Sequence, residues 1–404
     1  MTSLLKRLKK DRLYYDGACG TYLQATGLEA GALPEMLNII APDVVVDMHR
    51  AYLRSGADIV LANTFGANRF KFSGTDASVK DVVAAAVAHA KAAVREEGRG
   101  YVSLDIGPLG KILAPLGDVA FEDAYDAFKE LVVAGVDAGA DLITIETMSD
   151  TYEIKAALLA AKDNSDLPVF VTAAFQEDGR LLTGCDMETF VEITTALGAD
   201  AIGMNCSFGP VQTLPLMKEM AALSTLPLIV SPNAGLPHIA GGKTAYDIDA
   251  EVFSDYMIEF ADMGVQILGG CCGTLPDYIE KTVVKTRNIP VASPKGSPRS
   301  AITSYTRLVD LDDKPHMIGE RLNPSGKKYL QQALKDGHTS AVLAIALEEE
   351  EDGAHILDVN VGVPGLDEVA VLPEIIRALQ GVCELPLAID TSNAGAMEAA
   401  ARIY

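Results

Sequence analysis

Tryptophan is absent from this 404-residue sequence, and aromatic residues of all kinds make up only 6% of it. A large core must therefore be filled by aliphatic side chains. Hydrophobic residues reach 49%, the supply that buried parallel strands require. Basic residues are also scarce, 33 Lys and Arg against 56 Asp and Glu, for a net charge of -23. The one short basic run, Lys6–Lys10, reads as the solvated side of a first helix. Phosphate neutralisation needs a basic patch, so nucleic acid is excluded as a partner, as is an anionic membrane surface. No stretch approaches the roughly 20 apolar residues of a membrane span. Met1–Lys10 is not followed by the apolar run of a signal peptide. Six cysteines, two of them adjacent, do not form a disulfide framework. The expected compartment is the cytoplasm, where thiols stay reduced.

A repeating beat is present through the first 290 or so residues: a short β-rich run, a polar or glycine-containing turn, then an Ala-rich helical stretch. Candidate strands are Leu13–Ala18, Ile59–Thr64, Val102–Ile106, Leu142–Thr147, Val169–Phe175, Ala201–Cys206, Leu228–Ser231 and Gln266–Gly270. Stretches such as Val82–Glu97, Ala124–Gly139 and Thr151–Lys162 between them carry apolar residues at helical spacing. Gly-Ala-Asp recurs at helix–strand junctions, at Gly56-Ala57-Asp58, Gly139-Ala140-Asp141 and Gly198-Ala199-Asp200, as punctuation for a helix stop. Eight strands alternating with helices predict a closed α/β (β/α)8 TIM barrel over residues 1–289.

Working residues of such barrels sit at the C-terminal ends of the strands. Here those ends read Asp16-Gly17-Ala18, Asn63-Thr64-Phe65, Asp105-Ile106-Gly107, Glu146-Thr147, Asn205-Cys206-Ser207, Pro232-Asn233-Ala234 and Gly269-Gly270-Cys271-Cys272-Gly273. Polar, acidic and thiol groups crowd one rim. Residues 290–314 form a linker whose first part is rich in Pro, Ser and Gly. Residues 315–404 then begin a second beat, with strands at His316–Glu320, Ile356–Asn360 and Leu387–Asp390 and a helical stretch at Leu330–Asp352. About three βα units cannot close a barrel, so the second barrel is incomplete and its third strand has an open edge. The chain is then truncated, or that edge is covered by another molecule.

Cys271 and Cys272 are neighbours, and neighbours on a regular strand point to opposite faces. The surrounding Gly269, Gly270 and Gly273 permit a bend that turns both to one side. Cys206 ends the sixth strand. Three thiolates converging with a fourth position open make a catalytic zinc site, and thiolate softness favours zinc over magnesium or calcium. An all-thiolate shell suits a thiol substrate, deprotonated on coordination and nucleophilic at neutral pH. Two other readings of the cysteines are three inert buried thiols and a redox dithiol at Cys271 and Cys272.

These motifs, together with Gly20-Thr21 and Thr274, resemble the homocysteine S-methyltransferase family over nearly all of Leu13–Thr286. The resemblance implies that Cys206, Cys271 and Cys272 hold Zn(2+) and that homocysteine sulfur takes the fourth position. It implies that Glu146 receives the substrate ammonium, with Asp16, Asn63 and Asp105 as further positioning candidates. Cys19 reads as packing rather than a fourth ligand, and Cys185 and Cys383 as ordinary cysteines. Gly319-Glu320-Arg321-Leu322-Asn323, Asp358-Val359-Asn360 and Asp390-Thr391-Ser392 resemble the opening of the pterin-binding barrel of cobalamin-dependent methionine synthases. Asn323, Asp358, Asn360 and Asp390 would contact 5-methyltetrahydrofolate in a complete barrel, with little or no folate binding expected from this chain alone. No Asp-x-His-x-x-Gly cobalamin segment is present. Methylcobalamin would therefore come from a separate corrinoid-carrying module or protein. Alternatives are a homocysteine methyltransferase using a betaine or sulfonium donor, and a docking fragment completed by a partner chain.

Overall fold

The computed structural model describes residues 3–29, 31–240 and 243–404; the first two residues of the Met1–Lys10 reading lie outside them. The chain divides into two compact units. One comprises Met1–Gly110, Glu122–Thr183 and Thr194–Ser297, and the other Lys111–Phe121, Gly184–Ile193 and Pro298–Tyr404.

The first unit is built on an eight-stranded parallel sheet. Its strands are β1 (Leu13–Tyr14), β2 (Ile59–Leu61), β3 (Tyr101–Ile106), β4 (Leu142–Met148), β5 (Val169–Ala173), β6 (Ala201–Asn205) and β7 (Leu228–Ser231). An antiparallel hairpin of β8 (Pro237–Ala240) and β9 (Lys243–Tyr246) intervenes before the eighth barrel strand, β10 (Ile267–Leu268). The sheet order β1-β10-β7-β6-β5-β4-β3-β2 is a single circuit. A parallel bridge between Tyr15 and Ile59 joins its two ends and closes the barrel. All eight expected strands are present. Several are shorter at their C-terminal ends than the sequence suggests, because the rim residues leave the ladder and turn into the mouth.

The core sits inside the strands and beneath them. Leu13, Tyr15, Ile59, Leu142, Phe170, Ala201, Ile229 and Ile267 form one buried cluster, which Leu4 and Leu8 of the first helix (Ser3–Leu8) join. Lys6, Lys9 and Lys10 stay exposed, as a helix with one buried stripe demands. Buried Arg12 donates to the carbonyls of Ala261, Val265, Thr286 and Ile289, tying the first strand to the last helices.

The Gly-Ala-Asp junctions do two jobs. Gly56, Gly139 and Gly198 take left-handed backbones, φ +103°, +89° and +84°, that end their helices. The following aspartates reach sideways. Asp58 accepts from Tyr14 N at 3.2 Å, Asp141 from Val102 N at 2.8 Å and Asp200 from Val169 N at 2.9 Å. Gln266 does the same for Leu228 N at 2.7 Å. Each side chain caps the first free amide of the preceding strand, an otherwise orphaned donor, and fixes register at the closed end of the barrel. Periodicity carries no signal for this second job.

The second unit carries an antiparallel hairpin of β11 (Ala301–Thr303) and β12 (Leu308–Asp310) within the stretch expected as a linker. A three-stranded parallel sheet follows, β13 (Ile318–Gly319), β14 (Ile356–Val359) and β15 (Leu387–Ile389), in that order. Among the described residues β13 and β15 pair on one side only. The expected helical stretch Leu330–Asp352 is two helices, Lys328–Lys335 and Thr339–Glu351, separated at Gly337 with φ +70°. Among the described residues no helix is long and apolar enough to cross a membrane.

Candidate metal centre

β6 ends at Asn205, and the next residue, Cys206, turns into the mouth with φ +53°. A left-handed non-glycine residue costs energy and persists only where its surroundings hold it. β10 ends at Leu268, and the chain then bends through Gly269 and Gly270, so that Cys271 and Cys272 both face Cys206. The bend is held from several sides. Cys271 N donates to Pro232 O, Cys272 N to Asn233 Oδ1 at 3.1 Å, and Thr274 Oγ1 to Cys271 O at 2.7 Å. Gly273 has φ +84°, and a Cβ there would stand 2.5 Å from the Tyr246 ring, so only glycine fits. Gly273 N donates to Thr21 Oγ1 at 3.1 Å.

The three Sγ atoms lie within 4.8 Å of one another, with Cys206 and Cys272 at 3.4 Å. Tetrahedral zinc with Zn–S bonds of ~2.3 Å needs sulfurs ~3.8 Å apart. Separations of that order fit the cluster, and all three residues are half-buried at the open end of the barrel. Three sulfurs this close do not all ionise without a cation. Cys272 takes the charge, drawn down to about 3 by hydrogen bonds from Cys206 and Cys271 and by the Tyr246 hydroxyl. Cys206 is pushed up to about 12: its bond to Cys271 opposes the shift, while its bond to Cys272 and burial drive it. Cys271 is pushed far up, first by its hydrogen bonds to the other two sulfurs. A site that concentrates negative charge on soft donors suits a soft divalent cation.

Carboxylates stand around this centre. Glu146 is half-buried on β4, and burial together with the Cys272 charge pushes its carboxyl up to about 7. Asp105, at 6% exposure, has an Oδ1 with no hydrogen-bond partner, and burial and then Glu146 push its carboxyl well up. Asp16 is buried and accepts from Leu61 N at 2.9 Å; burial raises its carboxyl well above the usual range. Asn63 is engaged on both ends of its amide, donating to Pro34 O at 2.8 Å and accepting from Cys19 Sγ at 3.5 Å. Cys19 stands outside the three-sulfur cluster.

Sequence patterning missed three neighbours. Asn205 donates from Nδ2 to Thr147 Oγ1 at 2.8 Å and stands 4.0 Å from Cys271 Sγ. Asn233 braces the Cys272 amide, and Tyr246 arrives on a hairpin that no periodicity announces. Asn205 and Asn233 were visible as strand-end asparagines, but their side-chain partners lie on other strands.

In the second unit the candidate folate residues collect at the C-terminal ends of β14 and β15 and after β13. Asn360 Nδ2 donates to Asp390 Oδ2 at 2.8 Å, and Asn323 Oδ1 accepts from Ser325 N. Asp358 is half-buried on β14, its carboxyl raised by burial and then by Asp390 and Glu320.

A closed (β/α)8 barrel with a three-thiol cluster at its mouth defines a class of barrels suited to a soft metal. Residues 13–284 match the family described as homocysteine S-methyltransferase, and residues 319–404 match the pterin binding enzyme family. The chain belongs to the homocysteine S-methyltransferase family. It is 31% identical over 420 residues to methionine synthase of Mycobacterium tuberculosis and 30% identical over 425 residues to that of Mycobacterium leprae, matching over 98% of its own length in both. It spans about a third, 35%, of the length of either relative. The fold is shared with the homocysteine methyltransferase MmuM from Escherichia coli. The oxidized form superposes with a TM-score of 0.61 at 23% identity, and the metallated form with 0.60 at 24%, each covering 70% of this chain. They cover 100% and 98% of the respective MmuM chains.

Proposed function

We propose that this chain is the homocysteine-activating portion of a zinc-dependent methionine synthase. The observation that carries the reading is the convergence of Cys206, Cys271 and Cys272 within 4.8 Å at the mouth of the barrel. These three residues would hold zinc, which when bound supplies a Lewis acid that keeps a fourth sulfur ligand deprotonated at neutral pH. The rest is done by the chain's own groups. Glu146 receives the ammonium of homocysteine, Asp105 offers its unpartnered Oδ1 to the same end of the substrate, and Asp16 and Asn63 are further positioning groups. The homocysteine sulfur attacks the methyl carbon of the donor. A sulfur–carbon bond forms as the methyl's bond to the donor breaks, and that electron pair leaves with the donor.

The pterin-binding match over residues 319–404 supports a folate–cobalamin route over a betaine or sulfonium donor. Methylcobalamin on another module, recharged by 5-methyltetrahydrofolate, is the donor in this reading. Asn323, Asp358, Asn360 and Asp390 are the chain's share of the folate site.

X-ray absorption at the zinc edge tests this directly. One zinc per chain with three sulfur neighbours, gaining a fourth on addition of homocysteine, is the expected result. An unchanged sulfur shell, or a protein that binds no zinc, overturns it.

A further inference from the structure

Two residues at the rim share an uncommon backbone. Thr147 and Cys206 are the only non-glycine residues with positive φ among the described residues, at +59° and +53°. Each sits beside a working group: Thr147 follows Glu146, and Cys206 is itself a thiol of the cluster. One side chain connects them. Asn205 Oδ1 accepts from Thr147 N at 2.9 Å, and its Nδ2 donates to Thr147 Oγ1 at 2.8 Å. Thr172 Oγ1 on the intervening strand β5 donates to the same Oδ1 at 2.9 Å.

The register explains why this clamp is needed. β4 pairs regularly with β5 up to Ile145 and resumes at Met148, with a shift between them. Glu146 and Thr147 occupy that irregularity, which re-aims side chains and takes backbone amides out of the ladder. The amide of Thr147 is satisfied by Asn205 instead of a strand. The Glu146 end of the site and the Cys206 end are thus joined through a buried amide that uses both its oxygen and its nitrogen.

We propose that Asn205 is a specificity-determining positioning residue that sets the span between the thiol cluster and Glu146, and so selects a substrate with two methylenes between thiol and α-carbon over one with a single methylene. The inference rests on the reading of Glu146 as the ammonium site. A thiol anchored at the metal reaches Glu146 only if its chain length matches the separation that Asn205 holds. On this proposal homocysteine spans that separation, and cysteine falls one methylene short. Loss of the clamp lets the shifted segment of β4 relax, and the match blurs.

The test uses the zinc-loaded chain and three thiols, homocysteine, cysteine and 4-mercaptobutyrate, the last being homocysteine without its amino group. Affinities are read by calorimetry for the native chain, Asn205→Ala and Thr147→Ala. A methylene is worth roughly tenfold or more in a fitted pocket. Asn205→Ala is expected to lower the homocysteine-to-cysteine preference about tenfold. Its zinc keeps three sulfur neighbours, and 4-mercaptobutyrate affinity stays within about twofold, inside the ordinary scatter of such contacts. An unchanged preference, or equal weakening of all three thiols, overturns the proposal. If Asn205→Ala fails to hold zinc, Thr147→Ala decides by the same ratio, because it removes one arm of the clamp without adjoining a thiol ligand. The Glu146 reading fails separately: it falls if the native chain binds homocysteine no better than 4-mercaptobutyrate, or if Glu146→Gln leaves that difference intact.

Discussion

The sulfurs of Cys206 and Cys272 stand 3.4 Å apart although 66 positions separate them in the chain. Two thiolates at that distance repel strongly in a half-buried site, so the pair is stable with a shared proton or a bound cation. Substituting Cys272 by Ser is expected to lower zinc stoichiometry from one to well below half while leaving the circular dichroism unchanged. In metal-free protein, hydrogen bonds from Cys206 and Cys271 hold the Cys272 thiol well below the usual thiol range, while its two neighbours are pushed up. Alkylation at pH 5 therefore marks Cys272 ahead of the other five cysteines, and zinc protects it. Uniform labelling, or labelling that zinc does not slow, would contradict the site.

Glu153 supplies a pH dependence away from the metal. It is 3% exposed and accepts from Leu109 N at 2.7 Å, and burial, offset in part by that bond, pushes its carboxyl up to about 7 from 4.5. A carboxyl raised in the folded state favours folding while it is protonated. Its contribution is present in full below pH 4.5 and is lost as the pH rises through 7. Glu153→Gln keeps the acceptor and removes the charge. The variant should be more stable than the native chain at pH 8 by up to about 3 kcal/mol, with the difference vanishing near pH 4. Denaturant titrations at the two pH values read this, and a pH-independent difference would refute it.

Phe170 fills the barrel interior among Leu142, Ala201 and Ile229 with no exposure. Most of its neighbours are aliphatic, and its removal leaves a cavity that these shorter side chains cannot fill. Phe170→Ala should cost about 3–5 kcal/mol in urea unfolding. A loss under 1 kcal/mol would mean that the strands collapse around the gap.

Asp141 is a register pin. Asp141→Ala leaves Val102 N, bonded at 2.8 Å in the native fold, without its acceptor. The expected cost is about 1–3 kcal/mol. Asp141→Asn keeps a carbonyl oxygen at that place and should recover most of it. Equal losses in the two variants would assign the effect to the Lys91 ion pair at 2.7 Å instead.

The sequence by itself determined the number of barrel strands, their order and the end of the barrel where the thiols gather. Those follow from local pattern: aliphatic runs of strand length, Ala-rich helices between them, and polar groups gathered where each strand stops. It also determined which thiols converge, because adjacent cysteines within a glycine cluster and a third at another strand end leave one place for all three. The details that tune the site were decided by tertiary structure. The clamp of Asn205 on Thr147 joins residues on different strands through an amide, and nothing in either neighbourhood marks it. Thr147, one of two left-handed non-glycine residues among the described residues, is held by Asn205 against its own preference. The antiparallel pairs Pro237–Ala240 with Lys243–Tyr246 and Ala301–Thr303 with Leu308–Asp310 escaped because their strands are short and not strongly alternating. Long-range hydrogen bonds depend on which strand ends closure brings side by side, and a linear pattern holds no record of that.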